Sequence, residues 1–149
     1  MEDSKIDALL IKPGEFPERV NISTDLEALQ KSVGGLIEVT YPFADEVGLI
    51  CNEEGKIRGM PLNRAIFSDG GSLNDIIAGP FIIAGLTEES FGSLSEDQMQ
   101  HYGELFHTPE KFLRLNNRIM VIPISYKEVE TTKRRNAAKS KKAQDIGDR

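Results

Sequence analysis

The fold is decided by residues 18–41, ERVNISTDLEALQKSVGGLIEVTY. Polar and apolar residues alternate over 18–22, which predicts a half-buried β-strand. Apolar residues then recur at helical spacing, with Leu26, Leu29 and Val33 on one face and Ala28 alongside, so a helix is expected in the middle of the stretch. β-Branched residues return over 36–41 and predict a second strand. The stretch therefore indicates a strand, a helix and a strand that share one core.

The residues at both ends of this helix agree with that interpretation. Thr24 with Glu27 three residues later fits a capping box, in which each side chain satisfies a backbone N–H group. Gly34 and Gly35 follow Val33, and the first glycine suits the left-handed conformation that ends many helices.

The sequence before residue 18 predicts a strand that pairs with residues 18–22. Residues 5–12 have strand length and an apolar centre, and residues 13–17 (PGEFP) are typical of a turn. The order strand-strand-helix-strand resembles a β-grasp arrangement, in which a hairpin, a helix across the sheet and a return strand share one core. This resemblance concerns the fold and implies no function.

The sequence after residue 41 predicts further strands and shorter helices. The first is a hairpin of strands 47–51 and 56–60 around turn 52–55, with Gly55 at positive φ. A short strand or turn is expected at 65–67, buried strands at 74–78 and 80–86, and a last strand at 118–124. The expected helices are one with Ser95 as N-cap and a short one at 109–115. The fold class expected is therefore α+β: a small mixed sheet with a covering helix and a β-grasp-like start, then a C-terminal helical segment and a last strand.

Composition divides the chain into an acidic body and a basic tail. Residues 127–149 hold eight Lys/Arg and four Asp/Glu, a net charge of +4, and the other 126 residues hold ten and twenty, a net charge of −10. The apolar content falls from residue 127 onward, which is typical of disorder. At 149 residues, we expect one α+β domain over 1–126 and a disordered basic tail over 127–149.

Localisation is predicted from two features of the sequence. No apolar run approaches the roughly 20 residues that span a bilayer. Acidic residues precede the first apolar stretch, unlike the basic start of a signal peptide. We therefore expect a cytoplasmic protein without membrane contact, in the host cytoplasm if a phage encodes it.

Nucleophile, base and metal-ligand signals are weak in this sequence. Cys51 is the single cysteine and lies in the apolar run GLIC, which is typical of a small buried hydrophobic residue. His101 and His107 are six residues apart and share no face of an unbroken helix. The sequence therefore predicts no catalytic residue, no metal site and no cofactor.

Two neighbouring motifs are the candidate binding residues. Asn63 and Arg64 follow a proline; an arginine can bind phosphate or carboxylate, or can instead pair with a local acid such as Glu38 or Glu53. The turn before them offers amide, carboxylate and ammonium groups, although such a turn can equally be a solvated loop. Its candidate residues are Asn52, Glu53, Glu54 and Lys56. We expect both motifs to share one surface patch.

The tail offers a separate candidate for contact with polyanions. Its candidate residues are Lys133, Arg134, Arg135, Lys139, Lys141 and Lys142. Such residues bind nucleic acid by neutralising phosphates. No aromatic residues are interleaved for base stacking, so sequence-specific contact is not expected. A solubilising tail or a contact with an acidic protein remains an alternative.

Three stretches together are similar to a known family. They are residues 29–38 (LQKSVGGLIE), residues 50–64 with ICNEEGK and PLNR, and residues 75–83 (DIIAGPFII). They resemble one of the "domain of unknown function" families that bacteriophages, plasmids and integrative elements encode, mainly in Gram-positive bacteria. The resemblance covers residues 5–86 as a family core, and residues 87–126 are a helical extension with the last strand.

The resemblance and the motifs lead to three hypotheses for function. Carriage on mobile elements implies a non-enzymatic binding protein that acts on a host protein, with counter-defence as one role. The first alternative is a protein that binds or sequesters a small ligand, such as a nucleotide or another phosphorylated signal. The second is a nucleic-acid accessory protein that works through its tail. A homodimer is also considered, because a single sheet often leaves an edge open.

Overall fold

The computed structural model describes the backbone of residues 5–147 and the side chains of 5–131 and 133–138. The elements in chain order are β1 (Lys5–Ile11), β2 (Glu18–Ser23), α1 (Leu26–Val33), β3 (Ile37–Thr40), β4 (Val47–Asn52), β5 (Leu62–Phe67), β6 (Leu73–Ala78), β7 (Phe81–Leu86), β8 (Phe91–Gly92), α2 (Glu96–Leu105), β9 (Glu110–Leu115), β10 (Arg118–Pro123) and α3 (Tyr126–Gly147).

The predicted α+β fold is confirmed, with three sheets in place of one. The main sheet has the order β2-β1-β7-β4-β3, with β8 on the end of β7, while β5–β6 and β9–β10 are separate two-stranded sheets. Every strand pairing that the structure describes is antiparallel, so the expected mixed sheet is not formed. Strand β4 is buried along its whole length because both faces of the sheet are covered.

Helix α1 covers one face of the main sheet. Its Leu29 and Val33 pack against Ile6, Ile50 and Ile82. The hairpin β1–β2, the helix and strand β3 therefore share one core, as the sequence predicts. Gly34 ends the helix at φ +82° and its N–H donates to the carbonyl of Gln30.

The start of α1 differs from the prediction. The N-cap is Asp25, one residue after the Thr24 that the sequence suggests, and the Asp25 side chain makes no capping hydrogen bond. At α2 the prediction is confirmed, because the Ser95 hydroxyl and the Gln98 side chain cap each other's backbone N–H groups.

The opposite face of the main sheet is covered by α2 and the β5–β6 hairpin. Tyr102 and Phe106 on the helical side, and Ile66 and Ile77 on the hairpin, pack on a row of sheet residues that includes Phe81. The Tyr102 hydroxyl donates to Asp45 at 2.8 Å. Burial, reinforced by this hydrogen bond, raises the pKa of Tyr102 well above its usual value.

Two predicted elements are wrong. Residues 56–60 form turns instead of a strand, because β4 pairs with β3 and β7. Residues 110–115 form strand β9, not a helix. Asn116 and Asn117 both adopt positive φ, 49° and 66°, so the chain reverses there and β9 pairs with β10. A tight hairpin turn of this kind outweighs the helix-start signal at Pro109.

The backbone of the predicted basic tail is helical over most of its length. Helix α3 spans Tyr126–Gly147. Its first turn is anchored by Val129, which is buried, and by the Glu128 N–H, which donates to the Ser125 hydroxyl at 3.3 Å. None of the helices in the described part of the chain has the length and apolar character needed to cross a bilayer.

The packing of α1 is tested by two leucines of its predicted apolar face that differ in burial. Leu29 is 2% exposed and Leu26 is 58% exposed. We expect Leu29→Ala to lower the free energy of unfolding by about 2–5 kcal/mol, since it leaves a cavity against the sheet. The matched control Leu26→Ala should change it by no more than about 0.5 kcal/mol. Urea denaturation followed by circular dichroism measures both, and equal losses would contradict this packing.

Candidate functional site

A cleft of about 270 Å³ opens where the 52–57 turn meets β6. Glu38 on β3 and Cys51 on β4 face each other in the strand register, so their side chains lie on the same face and form one wall. The other lining residues are Asn52, Glu53, Gly55, Lys56 and Ile57 from the turn and Asp75, Ile76, Ile77 and Ala78 from β6.

Asn52 shapes the turn through both ends of its side-chain amide. Its amide nitrogen donates to the carbonyl of Val33 at 3.1 Å, and its oxygen accepts the Glu54 N–H at 2.8 Å. Asn52 is buried, so its role in the structure is to join the end of α1 to the turn. Glu54 is placed by this bond and does not line the cleft.

Gly55 allows the turn to approach β6 closely. A Cβ atom at this position would lie 2.6 Å from the backbone oxygen of Ala78. Positive φ is found at other glycines and not at Gly55, so the predicted reason for this glycine is wrong. A glycine is needed at position 55 because a side chain would collide with the backbone of Ala78.

Carboxylates outnumber ammonium groups in the cleft. Lys56 is ion-paired with Asp75, whose carboxylate also accepts the Ile76 N–H at 2.8 Å. Glu38 and Glu53 remain as exposed carboxylates on the lining. After the Lys56–Asp75 pair is formed, the lining keeps a net negative charge, which favours a cationic group over an anion.

Cys51 lies in the wall of the cleft as a protonated thiol. Burial, together with the negative charges of Glu38 and Asp75, raises the pKa of Cys51 to about 11 against the opposing effect of Lys56. The reactive form of a cysteine is the thiolate. Cys51 is therefore an inert wall residue, in agreement with the sequence analysis.

Asn63 and Arg64 are buried beside the cleft and do not line it. Asn63 is 0% and Arg64 1% exposed. The Asn63 amide donates at 2.9 Å to the carbonyls of both Ile11 and Gly79. Its oxygen accepts a hydrogen bond from Nη1 of Arg64, also at 2.9 Å. The pair therefore links β5 to β1 and to the turn between β6 and β7.

Arg64 is held by backbone carbonyls and not by the local acids that the sequence suggested. Nε donates to the carbonyl of Phe106 at 3.1 Å, and Nη2 donates to the carbonyl of Glu15 at 2.7 Å. Burial, partly offset by the charge of Glu110, lowers the pKa of Arg64 to about 10. The guanidinium therefore remains charged at neutral pH and joins three separate parts of the chain.

The structure thus divides the predicted patch. It brings Asn52, Glu53 and Lys56 together and leaves Asn63 and Arg64 in the interior, so the expected single surface patch is not formed. Sequence reasoning missed Asp75 as a member of the cleft. Asp75 lies 19 residues from Lys56, and no local pattern shows that these two residues meet.

The remaining candidates lie away from the cleft. Lys133, Arg134 and Arg135 are exposed on α3, while the side chains of Lys139, Lys141 and Lys142 lie outside the described residues. His107 contacts the ring of Phe16, and His101 that of Tyr102. Among the side chains that the structure describes, no cluster of His, Cys, Asp or Glu is suited to a metal ion.

The first prediction from this site concerns the buried guanidinium. Arg64→Met should lower the free energy of unfolding by at least about 2 kcal/mol, because the buried carbonyl of Phe106 and the partly buried carbonyl of Glu15 lose their donors. Arg19→Met is the control, since Arg19 forms an exposed ion pair with Glu96. This variant should lose far less free energy of unfolding than Arg64→Met. Equal melting curves for the two variants would show that Arg64 has no such role.

The second prediction concerns the thiol. With a pKa of about 11, only roughly one Cys51 in a thousand is a thiolate at pH 8, so iodoacetamide should modify the folded protein much more slowly than a free cysteine. Mass spectrometry measures the rate. Unfolding in urea should restore ordinary reactivity, and fast labelling of the folded chain would contradict the assignment.

Comparisons with known proteins identify the family. No curated protein and no solved structure matches the chain. The family model described as "Domain of unknown function (DUF3846)" matches residues 6–107, which extends beyond the predicted core through α2. The match includes every residue that lines the cleft and ends before the β9–β10 hairpin. This chain is a member of the DUF3846 family.

Proposed function

We propose that this protein is a non-enzymatic binding protein that holds a basic segment of a partner protein in the cleft between the 52–57 turn and β6. The observation that carries the proposal is the excess of carboxylates on a lining whose lysine is already paired. A lysine or arginine side chain of the partner would complement Glu38 and Glu53. We propose a bacterial host protein as the partner and counter-defence as the biological role.

The size of the cleft suits one side chain. Pockets for small molecules usually measure about 300–1,000 Å³, and this cleft lies just below that range at about 270 Å³. Ile57 stands at its rim and is 86% exposed. An apolar contact beside a charged pocket is typical of a protein–protein interface, where an anchor residue enters a pocket and its neighbours exclude water.

The chemical state of the cleft supports binding over catalysis. Its thiol is protonated at neutral pH, its lysine is neutralised by Asp75, and both histidines lie elsewhere. A nucleophile needs a base or a lowered pKa, and burial moves the pKa of Cys51 in the opposite direction.

The alternatives receive unequal support. A phosphorylated ligand is disfavoured by the carboxylates of the cleft and by the internal hydrogen bonds of Arg64. Polyanion contact through the tail is favoured by the exposure of Lys133, Arg134 and Arg135 on α3, and it is our second candidate function.

The proposal is tested by removing the two exposed carboxylates. Glu38→Gln with Glu53→Gln should reduce recovery of the partner from a bacterial lysate at least tenfold, measured by quantitative mass spectrometry of proteins bound to immobilised chain. The matched control is Glu88→Gln with Glu89→Gln, which removes the same charge from an exposed loop outside the cleft. Equal recovery by both double variants would refute the cleft as the binding site.

A further inference from the structure

Helix α3 docks on the rest of the chain through one of its sides. Val129 is 1% exposed, and seven residues later Asn136 donates to the Glu15 carboxylate at 2.9 Å. The ring of Tyr126 contacts that of Phe16. Because an α-helix has 3.6 residues per turn, positions 129 and 136 lie on the same side and position 126 lies next to them. This docked side fixes which residues of the helix are turned outward.

The outward side of α3 carries basic residues at a regular spacing. Lys127 and Arg134 are both exposed and seven residues apart. Each precedes a docking residue, Val129 or Asn136, by two positions, which is a rotation of about 200° around the helix. Backbone position 141, which is also a lysine, repeats the spacing. We call Lys127, Arg134 and Lys141 the outer row, and its members are about 10.5 Å apart along the axis.

The neighbouring basic residues lie on other sides of the helix. Lys133 follows Tyr126 by seven residues, so it belongs to the side of the docked tyrosine ring. Arg135 follows Glu128 by seven residues and lies at the border, because Glu128 pairs with Lys111 of the body. The three consecutive basic residues therefore point in different directions, and the outer row takes one of them.

The charges around the outer row leave it open to an external anion. Lys127 and Arg134 take part in none of the ion pairs among the side chains that the structure describes. Glu130 lies one turn before Arg134, is half-buried and forms no ion pair with it. The body of the chain, residues 1–126, has a net charge of −10 and repels anions. An anion is therefore attracted to the outward side of α3 and repelled from the rest of the surface.

We propose that the outer row of α3 binds the phosphate backbone of a nucleic-acid duplex without reading its sequence. This inference rests on the second candidate function, polyanion contact through the tail, and is independent of the cleft. A duplex carries one phosphate charge for about every 1.7 Å of its axis. A straight row of cations about 21 Å long therefore meets phosphates wherever it is placed along the duplex.

Other anionic partners suit this side of the helix less well. A helix that lies in a membrane surface needs an apolar face, and Val129 is turned toward the body. Single strands are held by stacking on aromatic side chains, and Tyr126, the aromatic residue of α3, lies next to the docked side. Protein interfaces are centred on large anchor residues, whereas Thr131 and Ala138 stand between the basic residues of the outward side.

Binding of the full chain to a random-sequence DNA duplex, measured by fluorescence anisotropy at several salt concentrations, tests the outer row. Lys127→Gln and Arg134→Gln should each make the slope of log association constant against log salt shallower by about 0.9, the value for one phosphate contact. The matched control is Lys133→Gln, which removes the same charge from another side of the same helix and should leave the slope unchanged. Equal losses for Lys127→Gln and Lys133→Gln would overturn the outer row while leaving polyanion contact through the tail intact.

Three further probes test the choice of ligand. The wild type should bind the duplex more tightly than a single strand of the same length and more tightly than vesicles of phosphatidylserine and phosphatidylcholine. Tighter binding to the single strand or to the vesicles would overturn the duplex as ligand. Retention on heparin without binding to the duplex would also overturn it and would leave polyanion contact standing. Loss of both would remove the second candidate function as well.

Discussion

The structure depends on the buried pair of Asn63 and Arg64 and the backbone carbonyls that satisfy it. Their donors reach the carbonyls of Ile11, Gly79 and Phe106, so one strand, β5, is tied to the main sheet, to the β6–β7 turn and to the end of α2. A buried cation is costly unless its donors are matched. Within the described residues no buried side-chain polar atom lacks a partner, so the cost of burying this charge is offset by specific bonds.

The cleft is a consequence of this arrangement. Asn63 fixes the position of the β5–β6 hairpin, so that β6 lies beside β4. The 52–57 turn then packs against β6, where Gly55 approaches Ala78 closely. Lys56 then meets Asp75 and neutralises it, which leaves the carboxylates of Glu38 and Glu53 facing solvent. Arg64, a candidate binding residue in the sequence analysis, therefore supports the cleft and is not its ligand-binding group.

The C-terminal part of the chain differs in kind from the family domain. The matched region ends at residue 107, and the β9–β10 hairpin and α3 follow it. Glu110 accepts the Ala65 N–H at 2.8 Å and Lys111 contacts Glu128, so the hairpin is attached at its base on both sides. Its outer strand and apolar faces remain in solvent, outside the matched region that contains the cleft.

The sequence by itself determined those features whose signals are local. Period-2 and helical apolar spacing predicted β1, β2, α1 and most later strands, Gly34 predicted the end of α1, and Ser95 predicted the start of α2. The buried state of Cys51 was also predicted from its apolar neighbours. Tertiary structure alone decided that β7 lies between β1 and β4, that residues 110–115 pair as a strand, and that Lys56 meets Asp75 while Arg64 turns inward. These outcomes depend on contacts between distant residues, whose free energy exceeds the small local preferences that a sequence pattern expresses.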